Sequence, residues 1–393
     1  MPPALVPRGL VTVLGTSQLV CWGISYYLIG VFADAIIEET GWSPTAVHGG
    51  YSLALVVMGL ISARVGRWID RRGGRVVMSS GSVLCAVGCS LLAGAHSLPV
   101  YYLGWIVLGV AMRLFLYDAA FAALARIAGS GARAAISRIT LLGGLASTVF
   151  WPLGHALIGA LGWRGALLVY AALSLATLAL HRRIPDDVAP PGAHTPRPAP
   201  GRRSERHHLA CAWLFAWVVT CAGLLNAAMS SHMIGLMAAL GLGAALAIPL
   251  AALRGVGQTA ARLVEVLFGH HWHPATLNLV ATAVLPLAFA ATLPAPLGIA
   301  GGLAFAVLYG AGNGLVTITR GSLPLVLFDT RVYGQLVGRL LAPGFLVAAA
   351  APMAFAWCEA ALGARATAFL AMLLAASMTM ASAALWRLSR NHA

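Results

Sequence analysis

An all-α membrane protein of twelve transmembrane helices in two pseudo-symmetric six-helix bundles is the fold this sequence predicts. Composition is the first reason. The 393 residues are 60% hydrophobic and 9% charged, with a mean hydropathy of +0.85, whereas roughly a quarter of the residues of a soluble domain are charged. Run length is the second: the apolar runs reach about 20 residues or more, enough for a helix to cross about 30 Å of hydrocarbon. Charge placement is the third. All 25 basic residues are arginine, and they gather between the runs instead of along one exposed helix. The net charge of +14 therefore reports topology in a lipid bilayer, and no nucleic-acid partner is expected.

Twelve spans are expected in order at about 9–33, 44–65, 75–96, 99–125, 137–160 and 164–181, then 209–233, 243–268, 275–293, 297–319, 335–358 and 365–388. The first has no small-residue cleavage site after it and reads as a retained helix. Residues 1–181 make the first bundle, 209–393 the second. Between them RRIPDDVAPPGAHTPRPAPGRRSERHH, residues 182–208, is too rich in proline and charge to bury apolar surface and reads as a cytoplasmic linker. The six cysteines all fall inside apolar runs without zinc-type spacing and read as packing residues.

Arginine placement sets the orientation. With a cytoplasmic N-terminus, the inner side holds Arg8, the 64–75 cluster, Arg126, Arg133, Arg138, the linker set, Arg262, Arg320, Arg331, Arg339, Arg387 and Arg390; the outer side keeps Arg164 and Arg365. Both termini are then cytoplasmic.

The stretch GRWIDRRGGR between segments 2 and 3 resembles the signature loop of the major facilitator superfamily, with Gly66, Asp70, Arg71, Gly74 and Arg75 filling its pattern. LGWRG (161–165) is similar to that family's turn between segments 5 and 6. The resemblance implies a bacterial inner-membrane secondary transporter rather than an enzyme, working by alternating access. It also implies a latch in which Asp70 faces the start of segment 11 near Tyr333, Gly334 and Gln335. Two departures disfavour drug–proton antiport: Trp105 stands where those antiporters carry an arginine, and segment 5 reads WPLGH (151–155).

Ionisable residues at bilayer depth face a cavity or a partner. Arg254, Gln258, Arg262 and Glu265 share one helical stripe in segment 8. Arg113 lies at mid-depth in segment 4, where Asn313 of segment 10 is its expected counterpart across a cavity. An arginine fork binds carboxylate bidentately, so these two arginines predict an anionic small-molecule substrate. Segment 1 carries Tyr26 and Tyr27 as further binding candidates. It is similar to the monocarboxylate and oxalate/formate branch of the superfamily, which implies that a segment-8 arginine, here Arg254, holds the carboxylate. Asp118 is the expected proton-coupling group, ahead of His155, Glu265 and Asp34.

The expected function is proton-linked uptake or exchange of a small organic anion by a monomer. Drug or metabolite efflux is one alternative, and copper import through Met229, His232, Met233 and Met237, whose thioethers and imidazole suit Cu(I), is another. The chain contains no Walker motif, so ATP is not expected as the direct drive, and neither a cofactor nor a resident metal is expected.

Overall fold

In lipid every backbone polar group must find its partner within the protein, so the apolar runs have helix as their stable outcome. The computed structural model describes residues 6–185, 202–294 and 296–390, and all regular structure among them is helical. Residues 186–201 of the expected linker lie outside the described residues.

Segment 1 is α1 (Arg8–Cys21), a π-turn at Trp22–Tyr26 and α2 (Ile29–Thr40). Segments 2 and 3 are α3 (Pro44–Arg72) and α4 (Gly74–Ala93), and segment 4 is split into α5 (Leu98–Phe115) and α6 (Tyr117–Ala128). α7 (Arg133–Gly144) and α8 (Ala146–His181) follow, and α8 contains a turn at Gly162, φ 68° and ψ 166°, within the LGWRG stretch.

The later helices are α9 (Arg202–Met237), α10 (Ala244–Phe268), α11 (Pro274–Ala290), α12 (Ile299–Ser322), the short α13 (Pro324–Leu327), α14 (Tyr333–Leu362) and α15 (Ala364–Arg390). α9 begins at Arg202, so residues 202–208 continue the helix upstream of the expected boundary.

Eight stretches among the described residues are long and apolar enough to cross a membrane. One of them, Leu98–His181, runs for 84 residues, several times what a single crossing needs. α10 is not among the eight, and Arg254, Gln258, Arg262 and Glu265 interrupt its apolar sequence.

The chain divides into two compact units: Met1–His194 with Asp329–Ala342, and Thr195–Phe328 with Pro343–Ala393. The boundary thus falls inside α14, whose first ten residues pack with the first unit. Without a hydrophobic force between lipid-solvated helices, each unit is held by close packing and buried polar contacts. In the first, His181 is fully buried, with Ser17 Oγ 2.7 Å from Nε2 and Ser82 Oγ 2.8 Å from Nδ1, tying α8 to α1 and α4. In the second, Asn278 of α11 donates to Ser382 of α15 at 2.8 Å and accepts from Thr319 of α12 at 2.9 Å.

Candidate functional site

Within the second unit, α10 and α12 approach until their backbones touch. A Cβ on Gly310 would overlap the Arg254 carbonyl, and one on Gly314 would come within 2.7 Å of the Gln258 carbonyl. This contact brings the Arg254 side chain against α12: its Cζ lies 5.1 Å from the centroid of the Tyr309 ring, a cation–π arrangement.

The guanidinium also turns toward α9. Arg254 Nη2 donates to Asn226 Oδ1 at 2.6 Å, and Nη1 and Nη2 each reach Ser230 Oγ at 3.4 Å. Asn313 Nδ2 of α12 donates to the same Asn226 oxygen at 3.1 Å. Arg254 and Asn313 therefore converge, with the amide of Asn226 and the exposed hydroxyl of Ser230 from α9, on one polar cluster whose other members are half-buried. Among the described residues no carboxylate pairs with Arg254, so its positive charge is met by neutral groups. Such a cluster can accept an anionic oxygen at short range without first breaking an ion pair.

Asn226 and Ser230 did not stand out in the sequence as Arg254 and Asn313 do. The same criterion, an amide inside an apolar run, applies to Asn226 in LLNAAM. Gln258 is one turn along α10 from Arg254, half-buried, with its backbone beneath Gly314. Arg262 is buried, and its Nε donates to the Gly314 carbonyl at 3.4 Å; Glu265 is also buried.

In the first unit Arg113 is 2% exposed and donates to Ser62 of α3, from Nε to Oγ at 2.9 Å and from Nη2 to the carbonyl at 3.3 Å. Arg113 and Asp118 stand on either side of a helix break: Leu116 is extended, with ψ −174°. Gln18 Nε2 donates to the Phe115 carbonyl at 2.7 Å, satisfying an acceptor that the break leaves without its helical partner. Asp118 is half-buried in the first turn of α6, where the helix start favours a negative charge.

Tyr26 and Tyr27 lie at the π-turn of segment 1, where Tyr27 N donates to the Trp22 carbonyl. The extra residue brings Trp22 to 4.7 Å from Tyr26 and 6.0 Å from Tyr27, between ring centroids, while Tyr117 lies 4.8 Å away on the α6 side. Tyr26 also meets Tyr51 at 5.5 Å. The two tyrosines thus belong to an aromatic wall shared by segments 1, 2 and 4.

The signature loop closes on the start of α14. Asp70 Oδ1 accepts from Gly334 N at 2.9 Å and Oδ2 from Gln335 N at 2.7 Å. A Cβ on Gly66 would overlap the Gly334 carbonyl, and one on Gly338 would come within 2.5 Å of the Ser62 carbonyl. Arg126 Nη1 donates to the Asp70 carbonyl. Arg75 Nε donates to the Ile184 carbonyl at 2.6 Å, Arg71 is exposed, and Gly74 is buried against Ala123.

Met229, Met233 and Met237 are buried, at 1%, 3% and 0% exposure. His232 Nε2 donates to the Pro352 carbonyl at 2.9 Å, and its ring lies over Phe355 at 5.3 Å. Among the described residues no three His, Cys, Asp or Glu side chains gather as a metal site.

A family model described as Major Facilitator Superfamily matches residues 16–352. Among solved structures the chain is similar to FucP, a transporter of that superfamily in the outward conformation, with a TM-score of 0.73 at 12% identity over 95% of this chain and 98% of that one. It is also similar to the human organic anion transporter MFSD10 (TETRAN), with a TM-score of 0.70 at 17% identity over 95% and 99%. The proton:xylose symporter XylE bound to 6-bromo-6-deoxy-D-glucose gives 0.70 at 14% over 96% and 95%. These identities speak to the fold. No curated protein matches the chain.

Proposed function

This chain belongs to the Major Facilitator Superfamily, and from that premise we propose that it carries a small organic anion across a bacterial inner membrane, by proton-linked uptake or exchange. As a member it is a multi-pass secondary transporter working by alternating access, not an enzyme. In the proposal the twelve segments all cross, both termini are cytoplasmic and the carrier is a monomer.

Arg254 carries this reading. A guanidinium at membrane depth is costly to insert, by roughly 2.5–3.5 kcal/mol on insertion scales, and marks a functional site when no charged partner offsets it. Here its hydrogen-bond partners are Asn226 and Ser230, both uncharged. A cargo carboxylate supplies the missing charge and takes the fork in two hydrogen bonds. Asn313 and Gln258 are the proposed binding residues beside Arg254 in the second unit; in the first unit Arg113, Tyr26 and Tyr27 are proposed as binding residues in their own right. Asp118 carries the coupled proton, and Gly66, Asp70, Arg71, Gly74 and Arg75 form a latch that is made in one state of the cycle and released in the other.

The test is uptake of lactate, pyruvate and oxalate into proteoliposomes. Arg254→Ala is expected to reduce the transported carboxylate at least tenfold in kcat/KM. Arg254→Lys should fall between, since an ammonium keeps the charge without the planar fork. Unchanged carboxylate uptake in Arg254→Ala would sink the proposal.

A further inference from the structure

Two donors from two different helices meet on one oxygen that belongs to the protein itself. Asn226 Oδ1 accepts from Arg254 Nη2 at 2.6 Å and from Asn313 Nδ2 at 3.1 Å. A cationic donor and an amide donor at these distances are what one oxygen of a bound carboxylate requires. Yet the oxygen in place is neutral. Ser230 Oγ donates to the Asn226 carbonyl at 2.7 Å, so the hydroxyl nearest the guanidinium is anchored to the same residue.

The choice of amide has an electrostatic consequence. Aspartate has the same shape as asparagine, and in this position it would close an ion pair with Arg254. That pair would leave the cluster neutral before any cargo arrived, and an entering anion would have to displace a charged group. The amide holds the two donors in position while leaving the charge of Arg254 uncompensated. A carboxylate oxygen is the stronger acceptor for both donors, because it adds the attraction of opposite charges to the hydrogen bond with the guanidinium and an ionised acceptor to the bond with the Asn313 amide. The exchange of Asn226 for a cargo oxygen is therefore favourable.

We propose that Asn226 sets the charge class of the cargo by standing in the place of one cargo carboxylate oxygen when the site is empty. It rests on the anion reading above and adds a specificity-determining residue to it. The site then selects a carboxylate over the corresponding neutral amide, and the selection lies in the uncharged partner of Arg254 as much as in Arg254 itself.

The experiment uses the reconstituted full-length protein, with lactate, pyruvate and oxalate as anionic probes and lactamide as the neutral counterpart of lactate. Asn226→Asp keeps the side-chain shape. It is expected to raise KM for the transported carboxylate at least tenfold and to abolish the preference for lactate over lactamide in a thermal-shift binding assay, with the melting temperature of the empty protein unchanged or raised. Asn226→Ala removes the amide without adding a charge, so it should keep the preference for lactate over lactamide and raise KM for the transported carboxylate less than Asn226→Asp does. A wild-type KM in Asn226→Asp overturns the inference while leaving the anion reading intact. So does an Asn226→Ala variant that loses carboxylate as completely as Asn226→Asp, because Asn226 then only positions its neighbours. A wild-type protein that neither binds nor transports any of the three anions removes the anion reading first, and this inference with it.

Discussion

Asp70 commits both oxygens of its carboxylate to one helix start, accepting from Gly334 N and Gln335 N at 2.9 and 2.7 Å. Those are two of the backbone donors that the first turn of α14 cannot satisfy internally. Asparagine keeps one acceptor and turns an N–H₂ toward the other N–H. A hydrogen bond to a charged group contributes roughly 1.5–3 kcal/mol, and about 1.4 kcal/mol is a factor of ten in an equilibrium. In Asp70→Asn the amides of Gly334 and Gln335 should therefore exchange with deuterium at least tenfold faster than in the wild type, while peptides from α11 exchange as before. Unaltered exchange at 334 and 335 would refute a latch role for Asp70. The loop is readable in the sequence because its glycines, aspartate and arginines lie within ten consecutive residues. Ser62 is not, since nothing around it in LISARV distinguishes a serine that receives Arg113 from one that faces lipid. Asn226 escapes notice for a related reason: its meaning depends on two other helices.

Hydropathy runs locate the helices because each span must be apolar over about 20 residues, and a glycine with a positive φ at 162 interrupts α8 within a stretch whose residues announce a turn. The break at Leu116 and the π-turn at Trp22–Tyr26 carry no such mark. Both are compensated from elsewhere, the first by Gln18 and the second by packing of Phe150 onto Gly23. LYGAGNG predicts a close helix approach, yet which glycine meets which helix depends on the rotation of α12. The backbone contact between Gly310 and Arg254 makes that rotation testable. In Gly310→Ala the new methyl would meet a carbonyl oxygen that no side-chain rotation can move, so α10 must shift and Arg254 with it. Overpacking of this kind costs roughly 1–3 kcal/mol. The expected result is a melting temperature lowered by several degrees and a tenfold or greater rise in KM for the carboxylate. Gly159→Ala, where a Cβ meets nothing within 4 Å, should leave both as they are. A wild-type KM in Gly310→Ala would show that the α10–α12 contact does not position Arg254.

On the scale of the whole carrier, energetics decide what must travel with the cargo. A membrane potential of 100 mV, inside negative, opposes entry of one negative charge by about 2.3 kcal/mol. A single proton carried with a monovalent anion cancels this term and leaves the pH gradient as the drive. Uptake of lactate into proteoliposomes should therefore collapse with nigericin, which dissipates the pH gradient in potassium medium, and persist with valinomycin at equal potassium, which removes only the potential. Asp118 is the proposed carrier of that proton. It is half-buried at the start of α6, next to the break at Leu116 and within one residue of Tyr117, whose ring contacts Trp22 of segment 1. Asparagine at this position preserves shape and removes the exchangeable charge. Asp118→Asn should exchange internal for external lactate at close to the wild-type rate, because exchange needs no net proton movement, while accumulation driven by an imposed pH gradient falls to the level of empty liposomes. Gradient-driven accumulation that survives in Asp118→Asn at the wild-type extent would move the coupling group elsewhere in the chain.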